Sequence, residues 1–314
     1  MTTSASMPSP HPEPAEASPD PQDSRPGAAP GSASEIGPRT SIEPGRVRLS
    51  HGVDLAAVLT VVRITVARQN RGRRLLILAL LFSLPIVFAI LTRRYQAPYR
   101  PDPVESVLVF GLIFAALVPL SALLFATGMV QDDIEEQTLT YFLIRPIPRW
   151  AVYLAKLLAT FVVSALRALI FTVGTLVAIY WGEERLVRGV LMERAPIIAA
   201  LLGLSLAAYV AIFGGLSLWV RRTLVVGAVY IVVFEGVIAN IDFVVREATV
   251  IYYIRVLSVR WLDLSGADWS IDPATAPAAS TCLIVLLSVS AVFAALGALT
   301  FGTREFRVKT PEGN

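Results

Sequence analysis

The sequence predicts an all-α integral membrane protein: a bundle of six transmembrane helices, with one amphipathic helix ahead of the first span. Three observations lead there. The 314 residues are 55% hydrophobic and only 16% charged, with a mean hydropathy of +0.64, whereas soluble domains carry about a quarter charged residues. Six apolar segments follow one another between residues 75 and 301, each near the ~20 residues that cross ~30 Å of hydrocarbon. Arginine and lysine gather at alternate links between these segments, the asymmetry that orients a membrane chain.

Residues 1–48 are rich in Pro, Ser, Ala, Glu and Gly and almost lack large apolar side chains. Such a segment cannot bury enough surface to offset its ordering entropy, so it reads as a disordered tail. It also lacks the basic start and apolar core of a signal peptide. A regulatory tail and inert low complexity both fit. From Gly52 to Asn70 the pattern becomes amphipathic: Leu55, Val58, Leu59, Val62 and Val66 share a helical face opposite Thr60, Arg63 and Ala67, and Arg68, Arg71, Arg73 and Arg74 follow. An apolar face with an arginine-rich end suits a helix in the headgroup layer. A cytoplasmic helix packed on protein would carry the same pattern.

The expected spans are Leu75–Thr92, Val104–Val130, Trp150–Trp181, Pro196–Val220, Thr223–Ile241 and Ala278–Phe301. The second and third are long enough to tilt or to project into water. Pro85 and Pro119 fall inside spans, where neighbouring helices tolerate a kink. One side of the membrane collects Arg63, Arg68, Arg71, Arg73 and Arg74, then Arg145, Arg149 and Lys156, then Arg221 and Arg222, then Arg304, Arg307 and Lys309. The other side has Arg93, Arg94, Arg100, Arg185, Arg188, Arg194, Arg246, Arg255 and Arg260. The first set is larger and more tightly clustered, which makes both termini cytoplasmic. The longest outer loop, residues 242–277, mixes Val250, Tyr252, Tyr253, Trp261 and Trp269 with Arg255, Arg260, Asp263 and Asp268. That blend predicts an interfacial segment lying on, or dipping into, the outer leaflet.

The stretch Gln131–Lys156, QDDIEEQTLTYFLIRPIPRWAVYLAK, joins the second and third spans on the cytoplasmic side. It opens acidic at Asp132, Asp133, Glu135 and Glu136, then turns amphipathic with Leu139 and Leu143 four residues apart beside Tyr141 and Phe142. Pro146 stops a helix, because it has no N–H and drives Arg145 out of the helical region. Pro148 suits the first turn of the next helix, where a missing donor costs nothing. The pattern admits two readings, a docking element and a plain connector. An acidic start is also ordinary helix N-terminal chemistry.

These residues resemble the signature of type-2 ABC exporter permeases: an acidic run (Asp133, Glu135), Thr138-Leu139, a short apolar helix with Phe142 and Leu143, a break at Pro146, then Arg149 and Lys156. Gln137 departs from it, standing where the family commonly has Gly. The resemblance extends over roughly residues 52–309. It implies a six-span transmembrane permease domain with an N-terminal amphipathic elbow helix, a cytoplasmic coupling helix and short helices above the pathway. It further implies a second permease subunit, in a homodimer or heterodimer, and a separate ABC ATP-binding subunit that holds ATP and Mg. The coupling-helix contacts would come from Asp133, Glu135, Thr138, Leu139, Tyr141, Phe142, Leu143, Pro146 and Arg149, and this chain would contribute no catalytic residue. It would act as an exporter in a cell membrane of bacterial inner-membrane type.

Two charges stand deep inside spans, Arg167 in the third and Glu235 in the fifth. A buried ion at bilayer depth is costly, so the expectation is an Arg167–Glu235 pair facing the bundle interior. Small residues recur every four positions in the fourth span (Gly203, Ala207, Ala211, Gly215) and the sixth (Ser290, Ala294, Ala298, Gly302), which lets helices approach closely. Other chemistries find little support. Cys282 is the single cysteine, and the two histidines, His11 and His51, lie in or beside the polar tail, so neither a disulfide framework nor a zinc-type centre can be assembled from this sequence. A P-loop needs Gly before Lys, but Ala155 precedes Lys156 and Val308 precedes Lys309. A membrane enzyme would want clustered catalytic groups, and a serine triad has no histidine within the spans. A non-transporting membrane scaffold or assembly protein, or a proton-coupled carrier using Glu235, are the alternatives. Nothing points to nucleic acid.

Overall fold

The computed structural model describes residues 55–69, 73–95, 99–135, 148–182, 184–241, 244–264, 269–272 and 274–303. Expectations that fall on residues 1–48 and on residues 136–147, the greater part of the expected Asp132–Leu143 helix and the break after it, lie outside them. Among the described residues the fold is helical throughout, and six helices are long and apolar enough to span a membrane: Leu75–Tyr95, Pro101–Met129, Arg149–Tyr180, Val187–Trp219, Thr223–Asn240 and Ala279–Thr303.

The expected spans are all present. The fourth begins earlier than hydropathy indicates, because the backbone stays helical through Glu184–Gly189 and Val190–Arg194 despite their charges. The second begins at Pro101, a residue suited to a first helical turn. Its next segment, Ser106–Leu117, has widened turns that return to α geometry at Val118, whose N–H reaches the Ile113 carbonyl five residues back. Pro119 follows directly. Its ring crowds the carbonyl four residues earlier and offers no N–H, which favours the wider turn ahead of it.

The fourth span is the hub. The second, third and sixth spans pack on it, as does a shorter helix, Val250–Leu262. Ile198, Leu201, Leu202, Leu206, Tyr209 and Phe213 along it are fully buried. The first, fifth and sixth spans keep most of their surface facing outward, with Leu80, Ile90, Val232, Ile284 and Leu299 exposed, as lipid-facing helices require. The small-residue stripes meet over part of their length: a Cβ on Gly215 would sit 3.5 Å from the Phe293 carbonyl oxygen, and Ala298 is buried, while Gly203 and Gly302 face open space.

The N-terminal helix, Leu55–Gln69, packs on the start of the third span. Its inward face centres on Val61 and Thr65, seated on Ala151, Val152 and Ala155 with Val58 and Val62 at the edge. Leu59 is 60% exposed. The apolar face expected from sequence is therefore rotated, because the small side chains of the third span accept the Val61 side and leave Leu59 outward. Gln69 Nε2 ties the helix to Thr160 Oγ1 at 2.7 Å.

The long loop is also corrected. Val250–Leu262 does not spread its aromatics over a leaflet: Tyr252, Ile254, Val256, Leu257 and Val259 are buried against the fourth and sixth spans. Trp269 meets Phe110 edge-on with ring centroids 5.7 Å apart. Arg255, expected as a loop charge, is buried and donates to the Ala239 carbonyl and to Asn240 Oδ1, closing the end of the fifth span.

Candidate functional site

The stretch between the second and third spans is approached by two rigid arms. The second span's helix runs unbroken from Val118 to Glu135, five residues past Val130, the end of the expected span, a projection of about 7.5 Å. Asp132, Asp133 and Glu135 thus stand on the end of that helix rather than opening a separate one. The third helix starts at Arg149, with Pro148 as its extended N-cap, as the Pro-Ile-Pro break predicts. Arg149 is exposed at the surface. Thr138, Leu139, Tyr141, Phe142, Leu143 and Pro146, together with the side chains of Asp133 and Glu135, lie outside the described residues.

One turn into the third helix, Tyr153 is fully buried among Met129, Leu218, Ala298 and Phe301. This cluster takes one residue or more from the second, third, fourth and sixth spans. Two glycines make it. A Cβ on Gly297 would lie 2.2 Å from the Tyr153 hydroxyl oxygen, and one on Gly214 would lie 2.8 Å from Leu157 Cδ1 and 3.2 Å from that hydroxyl. Gly297 needs hydrogen in place of a methyl, and a methyl at Gly214 would press on the end of Leu157. Nothing in the sequence singles out Tyr153, because Gly214 and Gly297 lie 61 and 144 residues further along the chain and only the fold brings them together.

The two intramembrane charges do not meet. Arg167 Nη2 donates to the Gln69 carbonyl at 2.9 Å, and its guanidinium lies over the Phe125 ring, 4.6 Å from the centroid. It anchors the end of the N-terminal helix against the second and third spans. Glu235 faces the start of Val250–Leu262, where its carboxylate accepts the Val250 N–H at 3.3 Å and the Ile251 N–H at 3.1 Å. The Tyr230 hydroxyl donates to it at 3.2 Å, and Tyr209 lies within its electrostatic reach. A carboxylate at the positive end of a helix, with unpaired N–H groups to accept, is satisfied without Arg167. That is why the expected Arg167–Glu235 pair does not form. Burial lowers the pKa of Arg255, and the Glu235 charge works in the opposite direction.

A third polar cluster was not anticipated. Glu105 at the start of the second span is buried and pairs with Arg194 Nη1 at 2.7 Å. The Tyr180 hydroxyl donates to the same carboxylate oxygen, Oε2. The three residues come from the ends of the second, third and fourth spans. In sequence, Glu105 stands one residue inside the expected second span without being singled out, and Arg194 stands two residues ahead of the expected fourth. Together they make a neutral pair that allows charged residues to remain in helix at the membrane edge.

The geometry is that of a packed six-span bundle with polar anchors at both ends and rigid arms leading to one link. A family model described as ABC-2 family transporter protein matches residues 68–240, more than half of the chain. That range holds the first five spans and the whole of the link. No curated protein matches the chain in sequence.

Proposed function

The chain belongs to the ABC-2 family of transporter proteins, and on that premise we propose that it is the membrane-spanning permease subunit of an ATP-binding-cassette exporter. A second permease subunit completes the pathway, as a homodimer or heterodimer. A separate ATP-binding subunit docks on the cytoplasmic side and holds ATP and Mg. The chain itself performs no catalysis. The link between the second and third spans is the coupling helix, with Asp133, Glu135, Thr138, Leu139, Tyr141, Phe142, Leu143, Pro146 and Arg149 meeting the ATPase. The N-terminal helix Leu55–Gln69 is the elbow, and the arginine-rich side, with both termini, faces the cytoplasm.

The observation that carries this reading is the seat of Tyr153. A push on the link reaches the third helix through Arg149 and is passed within one turn to the fourth and sixth spans, because Tyr153 fills the space that Gly214 and Gly297 leave. Packed interiors transmit displacement rather than absorb it. A plain connector would not need this lock. A proton carrier built on Glu235 is less well supported, since that carboxylate is committed to two backbone N–H groups and a tyrosine.

The test is a photo-reactive amino acid placed at Phe142, and separately at Ile284 on the exposed face of the sixth span, in membranes of the native host. Phe142 is expected to cross-link to a P-loop ATPase and Ile284 is not. Adducts at Phe142 that contain no ATPase would overturn the proposal.

A further inference from the structure

At the end of the bundle opposite the link, a cavity of about 410 Å³ opens between the first and third spans. Its walls are Ile86, Ile90, Val177 and Ala178, and Arg93 and Trp181 stand at its mouth. Gly174 forms the floor, where a Cβ would press on Ile86 Cδ1 at 3.2 Å. The volume falls within the ~300–1,000 Å³ typical of small-molecule sites, but the walls are apolar and open to the membrane side.

The Arg93 cation at the mouth is held in place. The Arg93 guanidinium lies over the Tyr99 ring, 5.6 Å from the centroid. Tyr99 is itself fixed by its hydroxyl, which donates to the Ile179 carbonyl at 2.9 Å. On the other side the guanidinium occupies the place of a missing side chain: a Cβ on Gly182 would lie 2.7 Å from Arg93 Nη2, and Gly182 has φ +100°. Among the described residues no carboxylate pairs with Arg93. Trp181, 66% exposed, has the amphipathic character of a side chain at headgroup depth. From Arg93 back to Ile86 is seven residues, about 10 Å along the helix.

We propose that this groove binds an anionic phospholipid from the adjoining leaflet, with one acyl chain along Ile86, Ile90, Val177 and Ala178 and the phosphate on Arg93. The occupant follows from the two ends of the site. An apolar trough that begins at headgroup depth and runs inward matches an acyl chain, and a pre-positioned guanidinium at its mouth matches a phosphodiester. A headgroup with net negative charge is favoured over a zwitterionic one, whose ammonium would offset the attraction. The inference is independent of transport direction and of the coupling reading.

Native mass spectrometry of the full chain, purified in mild detergent and offered phosphatidylglycerol or phosphatidylcholine with matched acyl chains, tests it. Wild type is expected to retain one phosphatidylglycerol in preference to phosphatidylcholine by about fivefold, the scale of one basic contact at a membrane surface. Arg93→Gln should abolish the preference and keep weak binding of both, and Arg93→Lys should restore it. Gly174→Leu, which fills the floor, should lose both lipids. Arg188→Gln, at an exposed arginine of the same end, should behave as wild type. Absence of a preference in wild type, or its survival in Arg93→Gln, would overturn the proposal, and the second result stands even if Gly174→Leu fails to fold.

Discussion

Gly297→Ala is expected to be among the most damaging single-methyl changes in this chain. The added carbon would meet the Tyr153 oxygen at 2.2 Å, Cζ at 2.5 Å and Cε1 at 2.8 Å. Tyr153 cannot swing aside: it is fully buried, its ring rests 5.8 Å from that of Phe301, and Gly214 closes the other flank. Overpacking of a tight core costs about 1–3 kcal/mol or more, which predicts an apparent Tm lower by on the order of 5 °C, read from tryptophan fluorescence in detergent. A smaller partner should relieve it, so Gly297→Ala with Tyr153→Leu is expected to recover part of the loss. Wild-type thermal stability in Gly297→Ala would mean that the seat is looser than described and that the proposed transmission through it fails.

Glu235→Ala is expected to produce the second large effect. It removes the acceptor for the Val250 and Ile251 N–H groups and for the Tyr230 hydroxyl in one step, and it deprives Arg255 of a nearby negative charge. Each buried donor left unsatisfied costs about 1–3 kcal/mol, so the loss should exceed 2 kcal/mol or so. Glu235→Gln keeps an acceptor oxygen and should be milder. The same change settles the relation to Arg167, whose partners are Gln69 and Phe125. The effects of Arg167→Ala and Glu235→Ala should add within about 0.5 kcal/mol. A coupling energy well above that in the double variant would restore the direct pair.

These residues also mark where sequence stops being informative. Apolar runs located all six spans, because ~20 residues of hydrocarbon-compatible side chain have few other uses. The edges failed where charges are neutralised across helices: Arg194 was assigned to a loop because its partner Glu105 lies 89 residues away. The face of Leu55–Gln69 was misread for a related reason. An apolar stripe records which side chains could be buried, whereas the surface that buries them, here Ala151, Val152 and Ala155, belongs to another segment. Glu235 was correctly singled out as a charge needing a partner. Its partner was missed because the positive end of a helix is a backbone property, and the helix at Val250 was hidden in a stretch whose aromatics fit an interface equally well. Of the link, Pro148 and the start at Arg149 were legible from proline chemistry, whereas the acidic run, read as the opening of a new helix, continues the second span's helix to Glu135.

Co-purification tests the central claim most directly. The tagged chain, extracted from its native host in mild detergent, is compared with a Leu139→Asp/Leu143→Asp variant at matched permease level. An ATP-binding subunit with a P-loop is expected to accompany wild type and to be lost from the variant, while both chains elute as folded, monodisperse protein. A well-folded wild type that brings down no ATPase, or a variant that retains it fully, would contradict the account and leave a non-transporting membrane scaffold as the reading to pursue.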